Sequence, residues 1–144
     1  MALGLGNIIK FFGGGEPSTE EKAELFKQLT LMTLSRASAA DSNIKAIEVD
    51  SVRAIIESVT GESVTAEDVK INANSKLFEE APLEKYLASV GPKIEIGQRV
   101  EIAQALADVI KSDERISSRE ITFFNMVCTA FQLTPANIAG LIES

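Results

Sequence analysis

The chain has 144 residues, 45% of them apolar and 24% charged, which suits one globular domain with a core of its own and excludes a disordered chain. Its net charge of −7 argues against nucleic acid as a partner, because phosphate binding needs a basic patch. Histidine is absent and Cys128 is the single cysteine, so the commonest general base and metal ligand is missing and no internal disulfide can form.

Residues 1–17 read as an apolar N-terminal segment with a Gly-rich linker, and 18–144 as the helical domain. Leu5, Ile8, Ile9 and Phe12 stand at i, i+3, i+4, i+7, one helical face. That face is expected to pack on its own domain; the alternative is peripheral contact with a membrane or a protein partner through residues 1–12. The segment lacks a basic start, carries Lys10 within its apolar stretch, and is followed by Gly13-Gly14-Gly15 rather than a cleavage site. No apolar run reaches the roughly 20 residues of a membrane span. The expected location is the cytoplasm.

The domain reads as about seven helices with no strand alternation. Ser18 caps the first, with Glu20 and Glu21 in its first turn, over about 19–40. Its apolar residues Leu25, Phe26, Leu29, Met32 and Leu34 cover a broad face, which suggests a central place. A second helix covers about 46–60 and stops at Gly61. Thr65 and Asp68 cap a third. A short helix follows at 82–89, with Pro82 in its first turn. A long one covers about 95–112, another 118–130, and the last starts at Thr134-Pro135. Glu79-Glu80 reads as a solvated loop. Cys128, Phe123, Phe124 and Phe131 read as core.

A shift of 72 residues sets Leu34, Ala37, Asp41, Ile44, Glu48, Val49, Val52, Ile56 and Val59 against Leu106, Val109, Asp113, Ile116, Glu120, Ile121, Phe124, Cys128 and Phe131. After a slip of three, Val64-Thr65 and Asp68-Val69 match Leu133-Thr134 and Asn137-Ile138, an apolar residue before each cap and another after its N3 residue. The expectation is a compact bundle of two pseudo-symmetric repeats, about 19–71 and 93–144. The first and fifth helices would lie at its centre.

Each repeat carries an Asp at the end of one helix, an apolar residue three on and a Glu seven on. Ala37 to Ile44 with Glu48, and Val109 to Ile116 with Glu120, resemble the TerB-like family, named for tellurite-resistance TerB proteins, over about residues 20–141. The resemblance implies a compact all-helical domain whose two acidic loops meet and bind metal. It also implies links to stress response, tellurite resistance and membrane-linked partner complexes. The chain departs from the pattern where Gly follows each Asp: Ser42 and Glu114 stand there.

The site expected from the resemblance is Asp41, Glu48, Asp113 and Glu120 around one divalent cation. Oxygen donors without histidine suit Ca²⁺ or Mg²⁺ better than Zn²⁺. The competing reading is capping. Ser117 and Glu120 form a capping box, Lys45 stands where Ser117 would in the first copy, and Asp41 and Asp113 can bond loop amides. No EF-hand fits, because Val52 occupies the twelfth position of a loop starting at Asp41. No phosphate-binding loop or nucleophile elbow occurs. A non-enzymatic accessory or interaction protein is therefore expected, with a metal-free docking module as the alternative.

Overall fold

The computed structural model describes residues 5–12, 14–38, 46–111 and 118–139, without the side chains of Ser38, 46–48 and Glu80. The described residues are helical or in turns and loops, with no strand. In chain order the helices are α1 (Gly6–Phe11), α2 (Thr19–Ser38), α3 (Ala46–Thr60), α4 (Ala66–Ala73), α5 (Leu77–Glu80), α6 (Leu83–Val90), α7 (Ile96–Lys111), α8 (Ser118–Ala130) and α9 (Pro135–Ile138). A 3₁₀ turn, Gly91–Lys93, joins α6 to α7.

Two of these elements go beyond the seven expected. The first is α1. The second is α5, which turns Glu79-Glu80 from the expected loop into a helical turn. Pro82 is the N-cap of α6 rather than a residue of its first turn. Its extended ψ of 159 points the chain into α6, and proline has no N–H to leave unpaired there.

The centre of the molecule is α2. Every residue from Leu25 to Ser35 is buried except the half-buried Lys27. A helix buried on all sides needs neighbours on all sides, and α1, α3, α4, α6, α7 and α8 pack around it. α7 is the second axis, touching α2, α3, α8 and α9. Leu29, Met32, Ile56, Leu87, Ile102, Leu106 and Phe131 meet in one core. Both central helices carry the apolar residues that the sequence put there.

Polar groups on α2 are answered locally where they can be. Thr30 donates to the Phe26 carbonyl at 2.8 Å. Arg36 leaves the core to donate to Ala73 O at 2.6 Å and stacks on the Phe78 ring at 4.4 Å. That one side chain closes the carbonyl end of α4 and ties it to α2.

The N-terminal segment belongs to this core. Ile8 and Phe11 are buried against it, and Phe12 stacks on Tyr86 with ring centroids 4.5 Å apart. The buried face differs from the expected one: Ile9 and Phe12 stay exposed at 57% and 40%. The reason is length. α1 is six residues long, so Ile8 and Phe11 at i, i+3 fill its contact, and Phe12 is already the extended C-cap.

Three consecutive helices, the last two joined by a short turn, occur twice, as α2–α3–α4 and α7–α8–α9. Thr65 and Thr134 cap the last helix of each with nearly the same backbone, φ/ψ −90/163 and −81/162. Val64 and Val69 are buried beside the first cap; Leu133 and Ile138 are half-buried beside the second. One position breaks the parallel. Val49 is 3% exposed, whereas Ile121 at the matching place is 42% exposed. α3 packs against α2, α4 and α7, whereas α8 packs against α2, α6 and α7, so the two matching positions meet different neighbours.

Candidate functional site

Two of the four expected ligands, Glu48 and Glu120, lie on α3 and α8. Asp41 and Asp113 lie in 39–45 and 112–117, outside the described residues. Glu48 is the third residue of α3 and its side chain is not described. Glu120 is the third residue of α8 and is half-buried. Among the described residues no three carboxylate or thiol groups come together to hold an ion.

The third residue of a helix has a defined job in this chain. Ser18 N–H donates to Glu21 Oε1 at 2.9 Å, and Glu21 N–H donates back to Ser18 Oγ at 3.2 Å. Thr65 and Asp68 make the same pair, both bonds at 3.0 Å. Thr134 and Asn137 repeat it at 2.8 and 3.2 Å. Gln98 Oε1 accepts the N–H of Glu95 at 3.0 Å at the start of α7. An oxygen at N3 thus satisfies one of the unpaired donors of a helix start in α2, α4, α7 and α9. Glu48 and Glu120 occupy that same position in α3 and α8.

Capping leaves half of a carboxylate available. While Glu21 Oε1 caps α2, its Oε2 binds the Lys10 ammonium at 2.6 Å. The Lys10 hydrogen bond, with the backbone bond from Ser18, holds the Glu21 carboxyl at about 2, below its ordinary range. A capping Glu can therefore hold a cation with its second oxygen. This arrangement was not legible from spacing alone. The signal in the sequence for the cap of α7 is the three-residue interval from Glu95 to Gln98.

Among the described residues, other groups do not form a competing site. Cys128 is buried, and burial pushes its thiol up to about 11, so it stays protonated at neutral pH. A shallow open depression at the end of α4 is lined by Lys70, Asn72, Asn74 and Lys76 and holds no carboxylate. No helix among the described residues is long and apolar enough to cross a membrane.

A protein-family model described as tellurite resistance protein TerB matches residues 27–141. The match runs from within α2 through α9 and leaves α1 outside it. No curated protein and no solved structure matches the chain.

Proposed function

The chain belongs to the TerB family of tellurite resistance proteins, and from that premise we propose that it is a non-enzymatic accessory protein of the stress response, in the cytoplasm, holding one divalent cation between its acidic loops. Asp41 and Asp113 are the primary ligands. Glu48 and Glu120 cap their helices and lend their second oxygens. The observation that supports the reading is Glu21, whose one carboxylate caps a helix start and binds a cation at the same time. An all-oxygen ligand set favours a hard ion, Ca²⁺ or Mg²⁺, over Zn²⁺. Tellurite itself is not a substrate on this reading, because the one thiol of the chain is buried and protonated.

The test is a calorimetric titration of chelator-treated protein with Ca²⁺, Mg²⁺, Mn²⁺ and Zn²⁺. Saturable binding of a hard ion is expected, lost in Asp41→Asn/Asp113→Asn. Glu48→Gln/Glu120→Gln is expected to weaken binding without loss of helix, because Gln98 already performs the same capping job. Absence of heat with every ion, from protein shown to be folded, would overturn the cation reading.

A second reading rests on α1. Ile9 and Phe12 remain exposed after Ile8 and Phe11 are buried. In this reading the chain is a metal-free docking module that contacts a protein partner or a membrane surface through residues 1–12. Vesicle co-sedimentation, lost in Ile9→Ser/Phe12→Ser and indifferent to chelator, would favour it over the cation.

A further inference from the structure

Most cations of this acidic chain have a partner. Lys10, Lys22, Lys27 and Arg53 each pair with a carboxylate, and Arg36, Lys93 and Arg99 each donate to a backbone carbonyl. Among the described residues Lys70 and Lys76 pair with none, and both line the open depression at the end of α4. Lys85, Lys111 and Arg119 are likewise unpaired, but stand singly on α6, α7 and α8. From Val69 to Phe78 the sequence has no Asp or Glu, so this segment holds no carboxylate to answer its two lysines. Helix capping does not occupy them either, because the last carbonyls of α4 are taken by other donors. Asn72 Nδ2 donates to Asp68 O at 2.7 Å, Asn74 Nδ2 to Lys70 O at 3.0 Å, Ser75 N–H to Asn72 O at 3.3 Å and Arg36 to Ala73 O at 2.6 Å. The same bonds orient the two carboxamides. With each nitrogen spent on α4, the oxygens of Asn72 and Asn74 are left as acceptors beside the depression. Ile71 also lines it and is 60% exposed.

We propose that this depression docks a short acidic peptide segment of a partner protein. Its carboxylates meet Lys70 and Lys76, its backbone N–H groups donate to the oxygens of Asn72 and Asn74, and an apolar side chain lies on Ile71. Charge complementarity is the first argument. Two ammonium groups on one concave surface repel each other, and carboxylates set between them remove that cost. The pattern of donors and acceptors is the second. A peptide brings carboxylates that accept and N–H groups that donate, which matches ammonium groups beside carboxamide oxygens. A phosphate group brings acceptors and would leave the carboxamide oxygens and Ile71 unanswered. Size is the third. At about 630 Å³ the depression has room for several side chains rather than one ion. The net charge of −7 limits the length of the segment. Charges beyond about 8 Å are screened at physiological salt, so a short segment meets the lysines alone, whereas a nucleic acid would also meet acidic faces. This inference does not depend on the cation site.

Fluorescence anisotropy of a labelled peptide of alternating aspartate and leucine, titrated with the full chain, tests it. Saturable binding is expected, weaker in added salt. Lys70→Glu/Lys76→Glu should raise the dissociation constant by roughly tenfold or more, because like charges then face each other. Ile71→Ser should raise it by about threefold or more, by loss of the apolar contact. All three side chains are exposed, so the variants are expected to keep their helix content. In the parent chain, with no substitution, the amide resonances of residues 70–76 should be the ones that shift on peptide addition. Absence of saturable binding would overturn the proposal. So would binding that Lys70→Glu/Lys76→Glu leaves unchanged, or resonance shifts confined to other helices. Displacement of the peptide by inorganic phosphate or by phosphatidylglycerol vesicles as readily as by unlabelled peptide would overturn it too, and would assign the depression to phosphate groups.

Discussion

The carboxamide oxygen of Gln28, buried in α2, accepts the backbone N–H of Asn7 at 2.8 Å and that of Ile8 at 3.3 Å. Two of the unpaired donors at the start of α1 thus end on one side chain, 21 residues away in sequence for Asn7. This bond, with the burial of Ile8 and Phe11, makes α1 part of the domain. Gln28→Ala should destabilise the chain by about 1–3 kcal/mol, because buried donors lose their acceptor. Urea unfolding measures the loss, and amide exchange at Asn7 and Ile8 should accelerate. Unchanged exchange there would mean that α1 is held by its apolar contacts alone.

Acid should loosen the same element. Glu21 has a folded-state value of about 2 against an ordinary 4.5. A depressed carboxylate stabilises fully above its ordinary value and loses that contribution as pH falls through its folded value. Stability is therefore expected to decline between about pH 4.5 and about pH 2. Glu21→Gln should flatten this part of the profile. Lys10→Met should do the same, since the Lys10 hydrogen bond is the largest cause of the shift. The pair is exposed, so added salt should shrink the effect.

Gln132 has φ +59, the one left-handed non-glycine among the described residues. It follows α8, with Leu133 N–H donating to Cys128 O at 3.0 Å and its own N–H donating to Thr129 O at 3.0 Å. That is the helix ending in which glycine is favoured, and Gly61 provides a left-handed glycine after α3, φ +74. Gln132→Gly should stabilise by about 0.5–1 kcal/mol, the left-handed strain removed less the added freedom of the unfolded chain. Thermal unfolding reads it directly, and a loss of stability would show that the Gln132 side chain contributes more than its strain costs.

Gly91 should resist substitution for a different reason. A Cβ there would meet Phe131 Cδ1 at 2.7 Å, and Phe131 is fully buried. The Phe131 carbonyl is also fixed by Arg99 Nη1 at 2.8 Å. With the ring unable to retreat, Gly91→Ala should destabilise by about 1–3 kcal/mol. The double variant Gly91→Ala/Phe131→Leu should lose less than the sum of its parts, since the smaller side chain relieves the clash. Additive losses would place the cost in the backbone of the 3₁₀ turn instead.

Much of the fold was written locally in the chain. The stripes Val49, Val52, Ile56 and Phe124, Cys128, Phe131 repeat at helical intervals, and all six are buried. Thr65 and Thr134 announce their helices because a cap, its N3 partner and the flanking apolar residues lie within a few positions of one another. The family was legible for the same reason: its acidic marks recur at one interval in two halves.

Only the tertiary structure decided matters that depend on what lies across from a residue. Periodicity put Ile9 and Phe12 on the packing face of α1, but the contact on α2 selected Ile8 and Phe11. It treated Val49 and Ile121 alike, while the different neighbours of α3 and α8 bury the first and leave the second exposed. Spacing offered Glu48 and Glu120 as caps or as ligands without choosing between them. The structure shows Glu21 capping α2 with one oxygen while the other holds the Lys10 ammonium. Sequence sets which residues share a helix face, because 3.6 residues make a turn; burial is set by the element that arrives from elsewhere in the chain.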